Sequence, residues 1–229
     1  MRLGQLSRYA TMSSTLDKQN ILDLLDELRR TDREFNNFGV RAHQYKLYQP
    51  LAEFDIAAFE CTHGVTLPDD YRHFITQIGN GGAGPYYGLF PFGYQDDIHG
   101  YCTWENGYMV GDLSAEFPHQ NKWNLPDAFW QKMPDPAPDV SEAEEDRMME
   151  AWDDELDEHY WNPKVMNGAI PICHLGCALR QWLVINGPQK GYVWADNRVD
   201  HTGISPLQDD KGIQMTFSDW YMSWLSKLL

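Results

Sequence analysis

The densest group of chemically active side chains lies between Asp135 and Glu158, where twelve Asp and Glu residues stand against one arginine, Arg147. This segment carries a net charge of −11, out of −16 for the whole chain. Paired carboxylates can serve as general acid and base. So many acids on one predicted helix are more typical of a solvated face, and they would complement a basic surface on another protein. We predict that a partner contacts seven of them: Glu144, Glu145, Asp153, Asp154, Glu155, Asp157 and Glu158.

A glycine-rich loop at residues 79–84 invites comparison with a phosphate-binding loop. A Walker loop follows a strand, precedes a helix and ends in Lys-Ser/Thr. The loop Gly79-Asn80-Gly81-Gly82-Ala83-Gly84 follows a predicted helix, precedes a predicted strand and ends in Pro85-Tyr86. We therefore interpret it as a helix stop in which glycine supplies positive φ.

The sequence pattern offers no complete set of residues for a metal site or for nucleophilic catalysis. A structural zinc site needs four ligands, and Cys173-His174-x-x-Cys177 has only the near pair Cys61-x-His63 to complete it. We interpret Cys173 and Cys177 as small core residues at a strand end and in a loop. The eight histidines are scattered, and no serine stands in a nucleophile elbow. We predict no catalytic residue, no metal and no cofactor.

The elements that position these residues are organised around residues 59–94. Their pattern predicts the end of one helix, a tight turn, a second helix, the glycine loop and a strand. Gly64 closes the first helix, and Pro68 opens the next, with Asp69 and Asp70 in its first turn. The apolar stripe of that helix is Tyr71, Phe74, Ile75 and Ile78. The strand that follows buries Tyr87, Leu89, Phe90 and Phe92.

Apolar periodicity and capping residues predict three further helices and the extent of the helix that Gly64 closes. The first runs from Ser14 to about Arg30, and the last follows a cap made by Thr216 and Asp219. The helix from about Ala52 to His63 is predicted to turn inward Phe54, Ala57, Ala58 and Cys61. The acidic helix runs from Ser141, with Glu144 completing a capping box, to about Tyr160. Its shared apolar face is Met149, Trp152, Leu156 and Tyr160.

Strands are predicted at 169–173, 180–185 and 192–196, with an edge strand at 203–207 that contains Pro206. Gly187 and Gly191 bound a hairpin loop. Trp182 and Trp194 are predicted to pack in the core or on the sheet, and a functional groove lined by aromatic side chains is the alternative. The fold class is therefore α+β, with a mainly antiparallel or mixed central sheet flanked by helices. Residues 1–13 are predicted to be a flexible N-terminus. Residues 14–229 form one domain with an acidic insert at about 135–160.

The sequence resembles the SUKH superfamily, which includes bacterial immunity proteins and fungal cell-wall-synthesis regulators. The resemblance covers about residues 50–94 and 168–226. It rests on these residues: Gly64, Leu67, Pro68, Asp70, Tyr71, Gly79, Asn80, Gly81, Gly82, Trp182, Gly187, Gly191 and Trp194. It implies a non-catalytic scaffold that binds and blocks diverse toxins, many of them nucleases. The fungal relatives imply the alternative of a housekeeping interaction scaffold.

The acidic charge disfavours binding to nucleic acid and to anionic membranes, because both would repel it. No run of about 18 apolar residues is present, and four cysteines without a secretory signal predict reduced thiols in a cytoplasm. We predict an immunity protein that neutralises a basic, nuclease-type protein toxin by direct binding. A small-ligand site or an enzyme is a third hypothesis. The acidic helix, the sheet and the glycine loop all stay open as the binding face, and the oligomeric state stays open too.

Overall fold

The computed structural model describes residues 16–97 and 100–228. The helices are α1 Lys18–Thr31, α2 Glu53–His63, α3 Asp69–His73, α4 Asp127–Trp130, α5 Glu142–His159 and α6 Phe217–Leu228. The strands are β1 Tyr94–Asp97, β2 Gly100–Thr103, β3 Ala169–Gly176, β4 Leu179–Val184, β5 Val193–Asp196 and β6 Ile204–Pro206. This is a single-domain α+β fold, as predicted.

The central sheet is antiparallel, in the order β3-β4-β5-β6, and β6 with Pro206 lies at its edge as predicted. Strand alternation sends Leu183 and Val193 into a core shared with α1, α3 and α6. Trp182 and Trp194 are paired across β4 and β5, and both point to the opposite face. There they pack in a second core with residues that include Met109, Phe117 and Met166. Both faces of the sheet are therefore covered by the chain itself.

The stretch around α3 confirms the predicted organisation. Gly64 ends α2 in the left-handed conformation, at φ +64. The stripe Tyr71, Phe74, Ile75 and Ile78 is buried, although the turn Phe74–Ile78 is π-helical. Asp70 also has a tertiary role, because its Oδ2 accepts a hydrogen bond of 2.9 Å from the Ser218 N–H. Asp70 thereby satisfies a free donor at the start of α6.

The predicted inward face of α2 is wrong. Phe54 is 73% exposed, and Ala57, Ala58 and Cys61 are also exposed, whereas Ile56 is buried and Phe59 is half-buried. The inward stripe includes Glu60, whose carboxylate accepts a hydrogen bond of 2.8 Å from the Leu67 N–H and lies 3.4 Å from Arg72. A satisfied polar side chain thus occupies a place that the apolar pattern assigned to alanine and cysteine.

The predicted strand over residues 87–92 is also wrong. Leu89 forms isolated bridges to Gly82 and Cys173, and no longer ladder follows. Positive φ angles interrupt the extended chain at Tyr86 (+54), Gly88 (+97) and Gly93 (+88). The first helix begins later than predicted, because Asp17 caps it through the Asn20 N–H. Ser14 and residues 1–13 lie outside the described residues.

Candidate partner-binding surface

The acidic helix α5 spans 18 residues and carries ten acids against one arginine. At 1.5 Å per residue it is about 27 Å long. Three acids, Glu142, Glu144 and Glu145, lie in its first turn, where the helix dipole favours negative charge. Ser141 is the N-cap as predicted, but its side chain makes no capping hydrogen bond, so the predicted capping box with Glu144 is wrong.

Aromatic side chains attach the C-terminal half of α5 to the domain. Trp152 is 6% exposed and packs on Phe129 of α4, with ring centroids 4.8 Å apart. Tyr160 is fully buried against Trp130 at 5.0 Å and Trp123 at 5.7 Å. Trp123 in turn packs on the second core. Segment 123–130 therefore holds the helix over the sheet face that carries Trp182 and Trp194.

Polar contacts fix Tyr160 further. Its hydroxyl donates to Asn124 Oδ1 at 2.8 Å and accepts from the Gly203 N–H at 3.0 Å. Burial raises the pKa of Tyr160 to about 12. The Tyr160 carbonyl accepts a hydrogen bond of 2.8 Å from Arg198. Hydrogen bonds from the side chain and the backbone of Tyr160 thus hold the end of α5 in place.

A buried ion pair links this attachment to the sheet. Arg198 donates to both oxygens of Asp196, at 2.9 and 2.7 Å, and each side chain is 4% exposed. Asp196 also accepts a hydrogen bond of 3.2 Å from the Trp182 indole. Since Asp196 lies on β5 and Arg198 contacts Tyr160, the position of the acidic helix depends on this pair.

The N-terminal half of α5 is free of the core. Residues 141–151 are all exposed, including Met148 and Met149 at 38% and 37%. The predicted apolar face is therefore confirmed for Trp152 and Tyr160, half-buried at Leu156 and wrong at Met149. Ring contacts from α4 reach α5 at Trp152 and at its C-terminal end, and residues 141–151 before them lie in solvent.

The seven predicted contact acids are exposed along this helix. Glu144 and Glu145 lie on its free half, and the attached half carries Asp153, Asp154, Glu155, Asp157 and Glu158. Among residues 16–97 and 100–228, none of these carboxylates has an ion-pair partner within 4.0 Å. Their charges are therefore available to cations from another molecule.

The glycine loop is filled by its own chain. Gly81 and Gly82 are buried at φ +89 and +91, and a Cβ on Gly82 would lie 2.3 Å from the Lys46 carbonyl oxygen. Asn80 Oδ1 accepts a hydrogen bond of 2.8 Å from the Phe92 N–H. Gly79 is buried against Leu47. The contacts support the interpretation of this loop as a structural turn and leave no cradle for phosphate.

The cysteine cluster does not assemble either. Cys173 is fully buried, which raises the pKa of its thiol, whereas Cys177 is exposed. The prediction of Cys177 as a core residue is wrong because Cys177 and Ala178, at φ +50 and +61, form the tight turn between β3 and β4. The His174 ring stacks with the rings of Tyr87 and Phe90. In the described ranges, no group of three or more His, Cys, Asp or Glu side chains could hold a metal.

Sequence reasoning missed the residues that attach α5. Phe129, Trp130 and Trp123 lie in a segment without periodicity, and the Asp196–Arg198 pair joins two positions only two residues apart. The excess of aromatic residues before the acidic helix was the one available signal.

None of the helices that the structure describes combines the length and the apolar character needed to cross a membrane.

Comparison with known proteins gives one match. The family model described as SMI1 / KNR4 family (SUKH-1) matches residues 50–210. No curated protein and no solved structure matches the chain. The matched region includes α2, α3, the glycine loop, α5 and the whole central sheet. Because the match covers well over half of the 229 residues, the chain belongs to the SMI1 / KNR4 family (SUKH-1).

Proposed function

We propose that this protein is a non-catalytic immunity protein that binds a basic toxin through the exposed acids of α5 and blocks it. The observation that carries the proposal is the unpaired charge of this helix on a firmly attached support. The SUKH resemblance supports a binding role, since immunity proteins of that superfamily block toxins. The proposal places this action in the cytoplasm.

The chemistry of the toxin follows from the surface that it must contact. A nuclease presents a basic cleft to the phosphates of its substrate. An exposed helix about 27 Å long, with exposed carboxylates along its whole length, can lie in such a cleft and imitate that charge. Charge complementarity of this kind accelerates association and makes it sensitive to salt.

The test compares two variants with equal loss of charge. The first replaces Asp153, Asp154, Asp157 and Glu158 by Asn or Gln, and the control replaces Glu27, Glu34, Asp55 and Asp210, which are also exposed. We expect the α5 variant to lose toxin protection and salt-sensitive binding, while the control keeps both. Equal protection by the two variants would contradict the role of α5.

Expression dependence separates this function from that of a housekeeping scaffold. Deletion of an immunity protein should be harmless to cells unless the toxin is present. A growth defect in cells that lack the toxin would favour the scaffold.

A further inference from the structure

A cavity of about 670 Å³ opens between the C-terminal end of α2, the hairpin of β1 and β2, and the segment that follows β2. We call it the hairpin cavity. Its volume lies within the usual range of small-molecule sites. In the described part of the chain, its lining takes no residue from α5, so the cavity is separate from the acidic surface. The lining includes three aromatic rings, one imidazole and two carboxylates: Phe59, Tyr94, Trp104, His63, Glu105 and Asp112.

The aromatic wall of the hairpin cavity is held in place by the protein itself. The Trp104 indole N–H donates a hydrogen bond of 2.8 Å to the Tyr94 carbonyl oxygen. The Trp104 ring also packs on Phe92 and Phe59, with ring centroids 5.1 and 6.0 Å apart. Trp104 is only half-buried, so part of its ring remains accessible from the cavity. Among aromatic side chains, indole attracts a cation over its face most strongly.

The charge of the lining favours a cation. Among the described residues, the lining contains no lysine or arginine, and neither Glu105 nor Asp112 has an ion-pair partner within 4.0 Å. The hydroxyl and the N–H of Ser114 donate to Asp112 Oδ1, at 2.7 and 2.9 Å, and hold the pKa of Asp112 below its usual value. The Asp112 backbone is fixed by Asn167 Oδ1 at 2.9 Å and by the Gly168 N–H at 3.0 Å. An ionised carboxylate is therefore in position before any ligand binds, which limits the entropy lost on binding.

We propose that the hairpin cavity binds a guanidinium group, which stacks on the aromatic wall and donates hydrogen bonds to the carboxylate of Asp112. Guanidinium suits both parts of the lining, because its planar face stacks on aromatic rings and its edge carries N–H donors. A quaternary ammonium has no donor for the carboxylate, and a primary ammonium has no planar face for the rings. An arginine side chain of a partner protein and a free small molecule could both supply this group.

The group is tested with N-acetylargininamide and N-acetylcitrullinamide, titrated into the isotope-labelled full chain and followed by NMR. Citrulline carries a neutral urea group in place of the guanidinium, so the two compounds have nearly the same shape. We expect saturable shifts at Trp104 and Gly107, with binding of the citrulline compound weaker by about tenfold. N-acetyllysinamide should bind about threefold more weakly than the arginine compound. The proposal would be overturned by equal binding of the arginine compound and either of the others, or by shifts confined to α5.

The contact with Asp112 is tested by Asp112→Asn. The matched control is Glu116→Gln, which removes an exposed carboxylate of the same segment that is not part of the lining. Asp112→Asn should weaken binding of the arginine compound by about fivefold and leave the citrulline compound unchanged. Glu116→Gln should leave both affinities unchanged. Equal weakening by the two variants would show that net charge alone attracts the compound, and it would overturn the assignment of Asp112.

The source of the guanidinium is tested with methylguanidinium and the peptide acetyl-Gly-Gly-Arg-Gly-Gly-amide. Tighter binding of the peptide would support an arginine of a partner protein, whereas exclusion of the peptide while methylguanidinium binds would support a free small molecule. Failure of both to bind would overturn the site. The inference does not rest on the proposed function, and the α5 charge variant should give unchanged titrations.

Discussion

Charge reversal in the last turn of α5 should make the protein more stable while it weakens partner binding. Asp157 and Glu158 lie four residues after Asp153 and Asp154, so each faces a like charge across one helical turn. They also lie near the negative end of the helix dipole. Both are exposed and have no ion-pair partner among the described residues. No ion pair within these residues therefore offsets the repulsion or the unfavourable interaction with the dipole.

The size of the stabilisation follows from the like-charge repulsion across one helical turn and from the interaction with the helix dipole. In the double variant D157K/E158K, each repulsive pair becomes an attractive pair with the acid on the N-terminal side, which is worth about 0.5 kcal/mol per pair. The exchange of anion for cation near the C-terminus adds about 0.5 kcal/mol. The free energy of unfolding should rise by about 1 to 2 kcal/mol, which raises the melting temperature by about 4 °C for a chain of this size.

Urea denaturation and thermal melting measure this change, and the variant E142K/E144K is the matched control. It makes the same change in net charge at the other end of the helix, where acids are favourable and Glu144 lies three residues before Arg147. The control should be less stable than the unaltered protein. Stabilisation of both variants alike would show that only net charge matters, and destabilisation of D157K/E158K would refute the reasoning.

Further substitutions test the buried ion pair, the glycine loop and the buried histidine. Asp196→Asn leaves the buried guanidinium of Arg198 without its anion and should cost about 3 to 5 kcal/mol in urea denaturation, and a loss below 1 kcal/mol would contradict the buried pair. Gly82→Ala should cost several times more than Gly64→Ala in the same assay, because a Cβ clashes with backbone only at Gly82. Burial lowers the pKa of His43 to about 4. Between about pH 6.5 and 4 the unfolded chain therefore binds more protons than the folded chain, and the free energy of unfolding decreases as the pH is lowered. His43→Asn should remove up to about 3 kcal/mol of this pH dependence, and an unchanged pH profile would contradict it.

The sequence was sufficient wherever local chemistry and packing agreed. Gly64 had to adopt positive φ after a helix, and the structure places it at +64. The alternation of β4 and β5 put Trp182 and Trp194 on one face, and both are fully buried there. Ser141 marked the start of the acidic helix correctly, because an extended, proline-rich segment precedes it and a long run of good helix formers follows.

The failures have a tertiary cause. The side of α2 that faces inward includes Glu60. Its carboxylate is held there by the Leu67 N–H and by Arg72, both outside α2. Met149 shares the helical period of Trp152, but α4 is too short to cover it. A cavity beside α6 was equally invisible in the sequence, since its lining joins Phe38, Gln181 and Trp224 from distant parts of the chain. Periodicity indicates which side chains can be buried, and only the neighbours decide which are.

Affinity capture from the source cells with the tagged full chain, eluted by a salt gradient, tests α5 as the binding surface. We expect one basic protein in stoichiometric amount, released as salt screens the carboxylates and toxic when freed. The variant with Asp153, Asp154, Asp157 and Glu158 neutralised should fail to capture it, whereas the control neutralised at Glu27, Glu34, Asp55 and Asp210 should succeed. A partner that stays bound through high salt and binds both variants equally would contradict the claim that α5 is the binding surface.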